Sequence, residues 1–173
     1  MRIVAGRWRG RRIETPAGST VRPTLDRVRE AWMSILQNDI PGARVADLFA
    51  GSGALGLEAL SRGATSVDFV EKSSASLRVL RANIDSLGAA GAATVYHADA
   101  VEFAERAEVG AYDIAFADPP YSSGSAARLA AHWLRVPFAR VFSVEHSVSD
   151  RMPGSAETRR YGTTAITIYR KEV

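Results

Sequence analysis

From residue 44 to residue 145 short apolar runs alternate with amphipathic stretches, and this alternation limits the possible folds more than any other feature. Residues 44–49, 66–70, 93–98, 112–117 and 140–145 read as strands bounded by glycine or polar residues. Helical spacing fills the gaps at residues 54–62, 101–107 and 125–134, and in a longer stretch capped by Ser73 or Ser74, where Leu77, Leu80, Ile84 and Leu87 share one face. Strands that alternate with helices need right-handed crossovers and a parallel sheet covered on both faces. Residues 157–161 and 164–170 flank Gly162 and predict a terminal hairpin that adds an antiparallel strand at or near one edge.

The N-terminal part follows other rules. Residues 2–5 and 11–14 flank a glycine-bounded turn, Gly6 to Gly10, with Trp8 at its tip, which predicts a hairpin. Past Pro16, Gly18 and Pro23, Thr24 is the expected cap of a helix. Leu25, Val28, Trp32, Ile35 and Leu36 repeat along it, leaving Asp26, Arg27, Arg29 and Glu30 for its wet face. The reading is an α/β domain over residues 22–173 with a basic hairpin extension at residues 1–21.

Charge gives that extension a purpose. The net charge of +3 is uneven: residues 1–29 hold eight arginines against two acids, a net of +6, so the remainder is −3. A basic arm on an acidic body suits an anionic polymer such as nucleic acid. An arginine-biased composition is the plainer alternative, since Lys72 and Lys171 are the only lysines. Absence of cysteine excludes disulfides, thiol nucleophiles and cysteine-bound metals. With 173 residues, no apolar leader-like stretch and no apolar run long enough to span a bilayer, the expectation is a single-domain cytoplasmic protein, monomeric and without a membrane partner.

Open parallel sheets bind ligands beyond the carboxyl ends of their strands. Gly51-Ser-Gly53-Ala-Leu-Gly56 lies directly after the first strand, where a sharp turn must approach a ligand closely. Glu71, 18 residues past Gly53 at the end of the next strand, is placed to accept from a ribose diol. Asp47, inside the first strand, would be too costly to bury unpartnered, and a ligand ammonium would suit it. Asp99, past the third strand, is placed for an adenine amine, or else caps the next helix. Three carboxylates at adjacent strand ends repel phosphates but fit an amino-acid end, a ribose and an adenine, which together make S-adenosylmethionine.

Asp118-Pro119-Pro120-Tyr121, at the end of the fourth strand, is the most specific motif. Two prolines stiffen the loop and remove two N–H donors, leaving an oxygen-rich corner. The Asp118 carboxylate and the Pro119 carbonyl can satisfy both hydrogens of a planar exocyclic amine, and Tyr121 offers a ring for stacking. Holding those hydrogens aims the nitrogen lone pair at a sulfonium methyl. Phe49 and Tyr121 are placed for cation–π contact with that sulfonium. Asp118 is expected to ionise as an ordinary carboxylate, stabilising charge on nitrogen rather than removing a proton beforehand. His97, His132 and His146 have no partners at metal-ligand spacing, so no metal is expected. Trp32 and Trp133 lie on apolar helical faces and read as core, whereas Trp8 either stacks on a base or packs within the hairpin.

Over nearly its whole length the sequence resembles the RsmD-type small-subunit ribosomal RNA guanine-N2 methyltransferases. The resemblance runs through Arg2-Ile-Val-Ala-Gly-Arg-Trp-Arg-Gly10, Arg22-Pro-Thr-Leu-Asp-Arg-Val-Arg-Glu30, Asp47-Leu-Phe-Ala-Gly-Ser-Gly53, Asp118-Pro-Pro-Tyr121 and Arg160-Tyr-Gly-Thr-Thr-Ala165. It implies a Rossmann-like methyltransferase fold with a seven-stranded sheet, S-adenosylmethionine as cofactor, and methylation of a flipped guanine of 16S ribosomal RNA in the small subunit. Asp47, Phe49, Gly51 and Gly53 would line the methionine and ribose region, with Glu71 on the ribose and Asp99 on the adenine. Arg22 and Thr24 would lie near the mouth of the site, Thr24 toward the cofactor. Arg2, Arg7, Arg9, Arg11 and Arg12 would join Arg22 on RNA phosphates, with Trp8 beside them. Aspartate at the first position of the Asp-Pro-Pro-Tyr motif does not settle which base is modified. DNA adenine-N6 or cytosine-N4 methylation would use the same corner but needs a target-recognition region that this chain lacks. An NAD-dependent oxidoreductase would fit the glycine loop and Glu71 while leaving Asp118 to Tyr121 idle. A non-catalytic RNA-binding factor would use only the arm.

Overall fold

A computed structural model describes residues 1–18 and 23–172. Seven strands form one sheet: β1 (Arg44–Leu48), β2 (Ser66–Glu71), β3 (Ala93–His97), β4 (Tyr112–Ala117), β5 (Ala139–Ser147), β6 (Glu157–Tyr161) and β7 (Thr164–Arg170). Their order is β3-β2-β1-β4-β5-β7-β6, with β1 to β5 parallel and β7 antiparallel to both β5 and β6. The terminal hairpin therefore inserts its second strand beside β5 and leaves β6 at the edge. Chain order runs outward from β1 to β3, then returns to β4 on the other side of β1. The gap between the carboxyl ends of β1 and β4 is the switch point, where such sheets open a crevice.

Alternating side chains feed two cores, because successive residues of a strand face opposite sides. One face carries Val45, Phe69, Ile114, Phe116 and Ile166 under α1 (Pro23–Ile35), α2 (Ala54–Ser61) and α3 (Ser74–Ser86). The other carries Ala46, Val70, Phe142 and Tyr169 under α4 (Ala100–Arg106) and α5 (Ser125–Arg135). Trp32 and Trp133 are both core residues, as the periodicity predicts. The Trp32 indole meets Phe116 edge-on at 5.6 Å, and its Nε1 donates to the Ser143 hydroxyl at 2.8 Å. Ser73 caps α3 by accepting from the Ser76 N–H.

Three expectations need correction. First, α1 starts at Pro23, so Thr24 sits inside its first turn rather than at the cap; a proline suits the first helical position because its missing N–H is not needed there. Second, Arg29 is buried rather than on a wet face, while Leu25 of the apolar stripe is 44% exposed. The reason is long-range: the N-terminal segment lies over that side of α1, and Arg29 Nη2 donates to the Arg2 carbonyl at 2.9 Å. Third, the hairpin at residues 2–14 is cut short, without full strands on either arm. The arms pair antiparallel but only briefly: Arg2 and Arg12 form one bridge, with Ile3 N–H on the Arg11 carbonyl and Ile13 N–H on the Met1 carbonyl, both at 2.9 Å, before the chain turns its next donors to α2. The N–H groups of Val4 and Ala5 donate to the buried Glu58 carboxylate, and those of Arg7 and Trp8 to the Ser61 carbonyl and hydroxyl. Gly6 is required at this docking point, since a Cβ there would stand 1.8 Å from the Ser61 carbonyl oxygen. Ile3 and Ile13 sink into the first core.

Among the described residues no helix is long and apolar enough to cross a membrane, and no group of His, Asp and Glu could hold a metal ion.

Candidate active site

The glycine loop that leaves β1 bends by backbone conformations that side chains disfavour. Phe49 adopts φ +60, and Gly53 adopts φ +85, where a Cβ would also press within 2.4 Å of Leu80. The turn brings the N–H of Gly56, in the first turn of α2, within 2.9 Å of Asp47 Oδ2. Asp47 is fully buried, and burial lifts its pKa from 3.8 to about 8; the Gly56 N–H lowers it and the Glu71 charge adds to the rise. Glu71 ties the loop to α3, accepting from Gly51 N–H at 3.3 Å with one oxygen and from Lys72 and Ser73 N–H with the other. Asp99 is the N-cap of α4, accepting from Glu102 N–H at 3.0 Å, so the capping alternative describes one of its oxygens.

Two cavities open at the switch point. The first, about 340 Å³, is lined by Asp47, Phe49, Arg29, Trp32, Asp118 and Glu145 among others. The second, about 370 Å³, is lined by Phe49, Glu71, Ala98, Asp118, Pro119 and Pro120 among others. Phe49 and Asp118 are common to both. The motif residues thus meet as expected: Asp47, Phe49 and Gly51 border one chamber, Glu71 the other, and Asp118 stands between them. Gly53 shapes the loop from behind, in contact with the core.

Asp118 departs from the ordinary carboxylate that the sequence led us to expect. It is solvent-exposed by surface area, so water screens it, but the protein packed on its inner side still raises its pKa above the ordinary carboxylate value. Glu145 adds to the rise through its charge and a shared hydrogen bond, and the Asp47 charge acts the same way. The solvent contact limits the size of this effect. Pro119 is buried beneath the corner and Pro120 exposed. Tyr121 is anchored at its hydroxyl, which donates to Glu145 Oε1 at 2.9 Å and bonds Thr164 Oγ1, while the residue remains 43% exposed. Its pKa is pushed up to about 12, chiefly by burial, with a smaller rise from the Glu145 and Asp118 carboxylates and the Thr164 hydroxyl pulling it back. The hydroxyl therefore stays a donor, and a pinned ring presents a face to solvent.

The ends of the arginine arm, Met1, Thr15 and Pro16, border the first cavity, while its tip docks at Ser61, the end of α2 away from the glycine loop. Arg2, Arg7, Arg9, Arg11 and Arg12 are exposed. Arg2 Nη1 reaches the Gly10 carbonyl at 2.8 Å, and Arg11 Nη2 the Ser86 carbonyl at 2.7 Å. Trp8 is half-buried and packed against the core, with the Arg7 guanidinium 4.1 Å above its ring. Arg22 and the side chain of Thr24 lie outside the described residues.

The family model described as Conserved hypothetical protein 95 matches residues 1–170. Ribosomal RNA small subunit methyltransferase D of Escherichia coli (strain K12) is 43% identical over 125 residues, covering 72% of this chain and 62% of that protein. The chain belongs to the RsmD family of methyltransferases. YlbH of Bacillus subtilis (strain 168) extends the family match end to end, 32% identical over 185 residues and 99% of both chains. Among solved structures, yhhF from Escherichia coli superposes with TM-score 0.84 at 34% identity, over 99% of this chain and 98% of that one. The 16S rRNA N2 G1207 methyltransferase RsmC of Thermus thermophilus, in complex with AdoMet and guanosine, shares the fold at TM-score 0.70 and 24% identity, over 90% of this chain and 45% of that one. The seven-stranded sheet is thus the Rossmann-like methyltransferase sheet that the family resemblance implies.

Sequence reasoning missed Glu145. The apolar run that marks β5 stops at it, and nothing local sets it apart from any other glutamate. Only the pairing of β4 with β5, which matches Ala117 to Val144, puts it beside Asp118.

Proposed function

We propose that this chain transfers a methyl group from S-adenosylmethionine to the exocyclic N2 of a guanine in 16S ribosomal RNA, acting as a cytoplasmic monomer on the small ribosomal subunit. The observation that carries this reading is Asp118, which stands between the cavity of the buried Asp47 and the adjoining cavity bordered by Glu71 and Pro119. Asp47 fits the donor because its carboxylate is enclosed with a single backbone N–H as partner, so an α-ammonium would supply the missing positive charge. Glu71, reaching from β2 into the second cavity, stands where a ribose diol would lie, and Phe49 forms the partition between the chambers.

When bound, S-adenosylmethionine supplies an electrophilic methyl carried on a sulfonium. The chain supplies position and charge. Asp118 and the Pro119 carbonyl accept the two N2 hydrogens, and the anchored Tyr121 ring holds the base plane. The N2 lone pair forms the new N–C bond as the C–S bond breaks, its electrons passing to sulfur. Nitrogen then carries positive charge and an acidic proton. Asp118, whose surroundings favour its protonated form, takes that proton more readily than an ordinary aspartate would. The exposed arginines of the arm meet phosphates, and their number suits a folded RNA more than a small substrate.

The family assignment and the unoccupied role it would leave for Asp118 weigh against a nicotinamide enzyme. Transfer of labelled methyl groups to small subunits lacking the modification, compared with free RNA and followed by nucleoside mass spectrometry, tests the proposal. It expects N2-methylguanosine; label in adenine, in cytosine or in no base would refute it.

A further inference from the structure

Amines that look alike to Asp118 and Pro119 differ in what stands beside them. In adenine the N6 amine is flanked by ring nitrogens N1 and N7, both lone-pair acceptors. In cytosine the N4 amine is flanked by the acceptor N3. Guanine alone places a ring N–H, at N1, next to its amine. A second hydrogen-bond acceptor beside the amine slot therefore favours guanine and opposes the other two.

Glu145 is such an acceptor. It lies in β5, one residue past the Val144 that pairs with Ala117 at the end of β4, is 7% exposed, and borders the first cavity together with Asp118 and Asp47. It also borders the neighbouring small cavity with Pro119, Pro120 and Tyr121, so it stands where the two walls of the base slot meet. One of its oxygens is held by the Tyr121 hydroxyl, which fixes the carboxylate against the stacking ring. Nothing in the transfer step requires this residue, and a buried carboxylate beside another is costly unless it meets donors. The same cavity contains a buried guanidinium: Arg29 has Nε and Nη1 without partners among the described residues. A site with acceptors at Asp118 and Glu145 and surplus donors at Arg29 matches the edge of guanine, which presents O6, N1–H and N2–H in sequence.

We infer that Glu145 determines the base specificity of the reaction by accepting the N1–H of the target guanine while Asp118 and Pro119 hold its amine. The inference rests on the methyl-transfer reading above. In this arrangement three base donors, N1–H and the two N2 hydrogens, meet three protein acceptors: Glu145, Asp118 and the Pro119 carbonyl.

The test uses small subunits reconstituted with guanine, or with 2-aminopurine, at the position that the transfer assay identifies. 2-Aminopurine keeps the amine but carries a lone pair at N1. The wild-type chain should favour guanine by about 10- to 100-fold in kcat/KM, the range for a hydrogen bond to a charged group. Glu145→Gln, whose amide can accept from guanine or donate to 2-aminopurine, should bring the two within about threefold, losing rate on guanine and gaining on the analogue. Glu145→Ala should lower guanine transfer with no gain in discrimination. A merely structural glutamate would lower both substrates equally and preserve their ratio; that result overturns the inference and leaves guanine methylation standing. Absence of wild-type transfer to any guanine overturns both. Thermal melts of the variants separate misfolding from altered choice, and Glu145→Gln retains an acceptor for Tyr121 if the alanine variant fails to fold.

Discussion

Replacing Asp47 with asparagine should stabilise the ligand-free protein while weakening its hold on the methyl donor. Asp47 ionises near 3.8 in an unfolded chain and near 8 in the fold, where burial is the chief cause. A carboxyl with a raised pKa in the folded state favours folding at low pH, and that advantage is lost as pH climbs toward the folded value. At neutral pH the fold must keep a proton that the unfolded chain has released. Each pH unit above 3.8 costs about 1.4 kcal/mol, which gives an upper bound of about 4 kcal/mol at pH 7. Local relaxation roughly halves this, and the new amide NH2 of asparagine loses about 1 kcal/mol if left unpaired. Asparagine keeps an oxygen for the Gly56 N–H, so the loop geometry survives. Asp47→Asn should then raise stability by about 1–2 kcal/mol at pH 7 and by much less at pH 5. For a chain of 173 residues the gap in Tm should widen by about 3–6 °C over that range. Differential scanning fluorimetry at half-unit steps from pH 5 to 8 reads it directly. Calorimetric titration with S-adenosylmethionine should show at least tenfold weaker binding by the variant. Parallel melting curves across the range would refute the buried proton, and undiminished donor affinity would refute its partner.

Asp118→Ala should abolish methyl transfer, a loss of at least 1000-fold in kcat, while donor binding measured by equilibrium dialysis stays within about threefold; joint loss of both would place Asp118 in the wrong role. Replacing Arg7, Arg9 and Arg11 with glutamine should weaken RNA binding about 10- to 100-fold at moderate salt and lower the slope of log affinity against log salt by about two to three, read by filter binding. An unchanged slope removes the arm from the interface. Glu58→Ala deletes the acceptor for Val4, Ala5 and Arg62, and should cost about 2–4 kcal/mol. Hydrogen exchange should report the loss first at residues 3–8, and protection unchanged there would mean that other contacts hold the arm.

The alternation of strands and helices was legible because each is written in neighbouring residues. Apolar runs, Gly53, the cap at Ser73 and the Asp118 prolines act on their own stretch of backbone, and the elements they define match the observed ones within a residue or two. Errors arose where a distant group decided. Residues 2–14 carry hairpin spacing and pair at Arg2 and Arg12, but Glu58, more than fifty residues away, draws the N–H groups of Val4 and Ala5 to α2 and ends the ladder there. Arg29 reads as a surface charge until the Arg2 carbonyl is placed beside it. The raised pKa of Asp118 could not be anticipated, since it depends on packing and on Glu145, whose proximity exists only across a strand pair. Asp47, Phe49, Glu71 and Asp118 were legible because strand ends of one sheet converge wherever the chain reverses direction.

The N-terminal segment is both a basic arm and a piece of masonry. Met1, Thr15 and Pro16 line the first cavity, while the arginines between them face outward and the backbone is tied to α2 through Glu58 and Ser61. On the proposed reading one continuous segment serves both reactants, its ends bordering the donor and its arginines the RNA. Reciprocity would then bind them: whatever factor RNA gains when the donor stiffens this wall, the donor gains equally when RNA binds the arm.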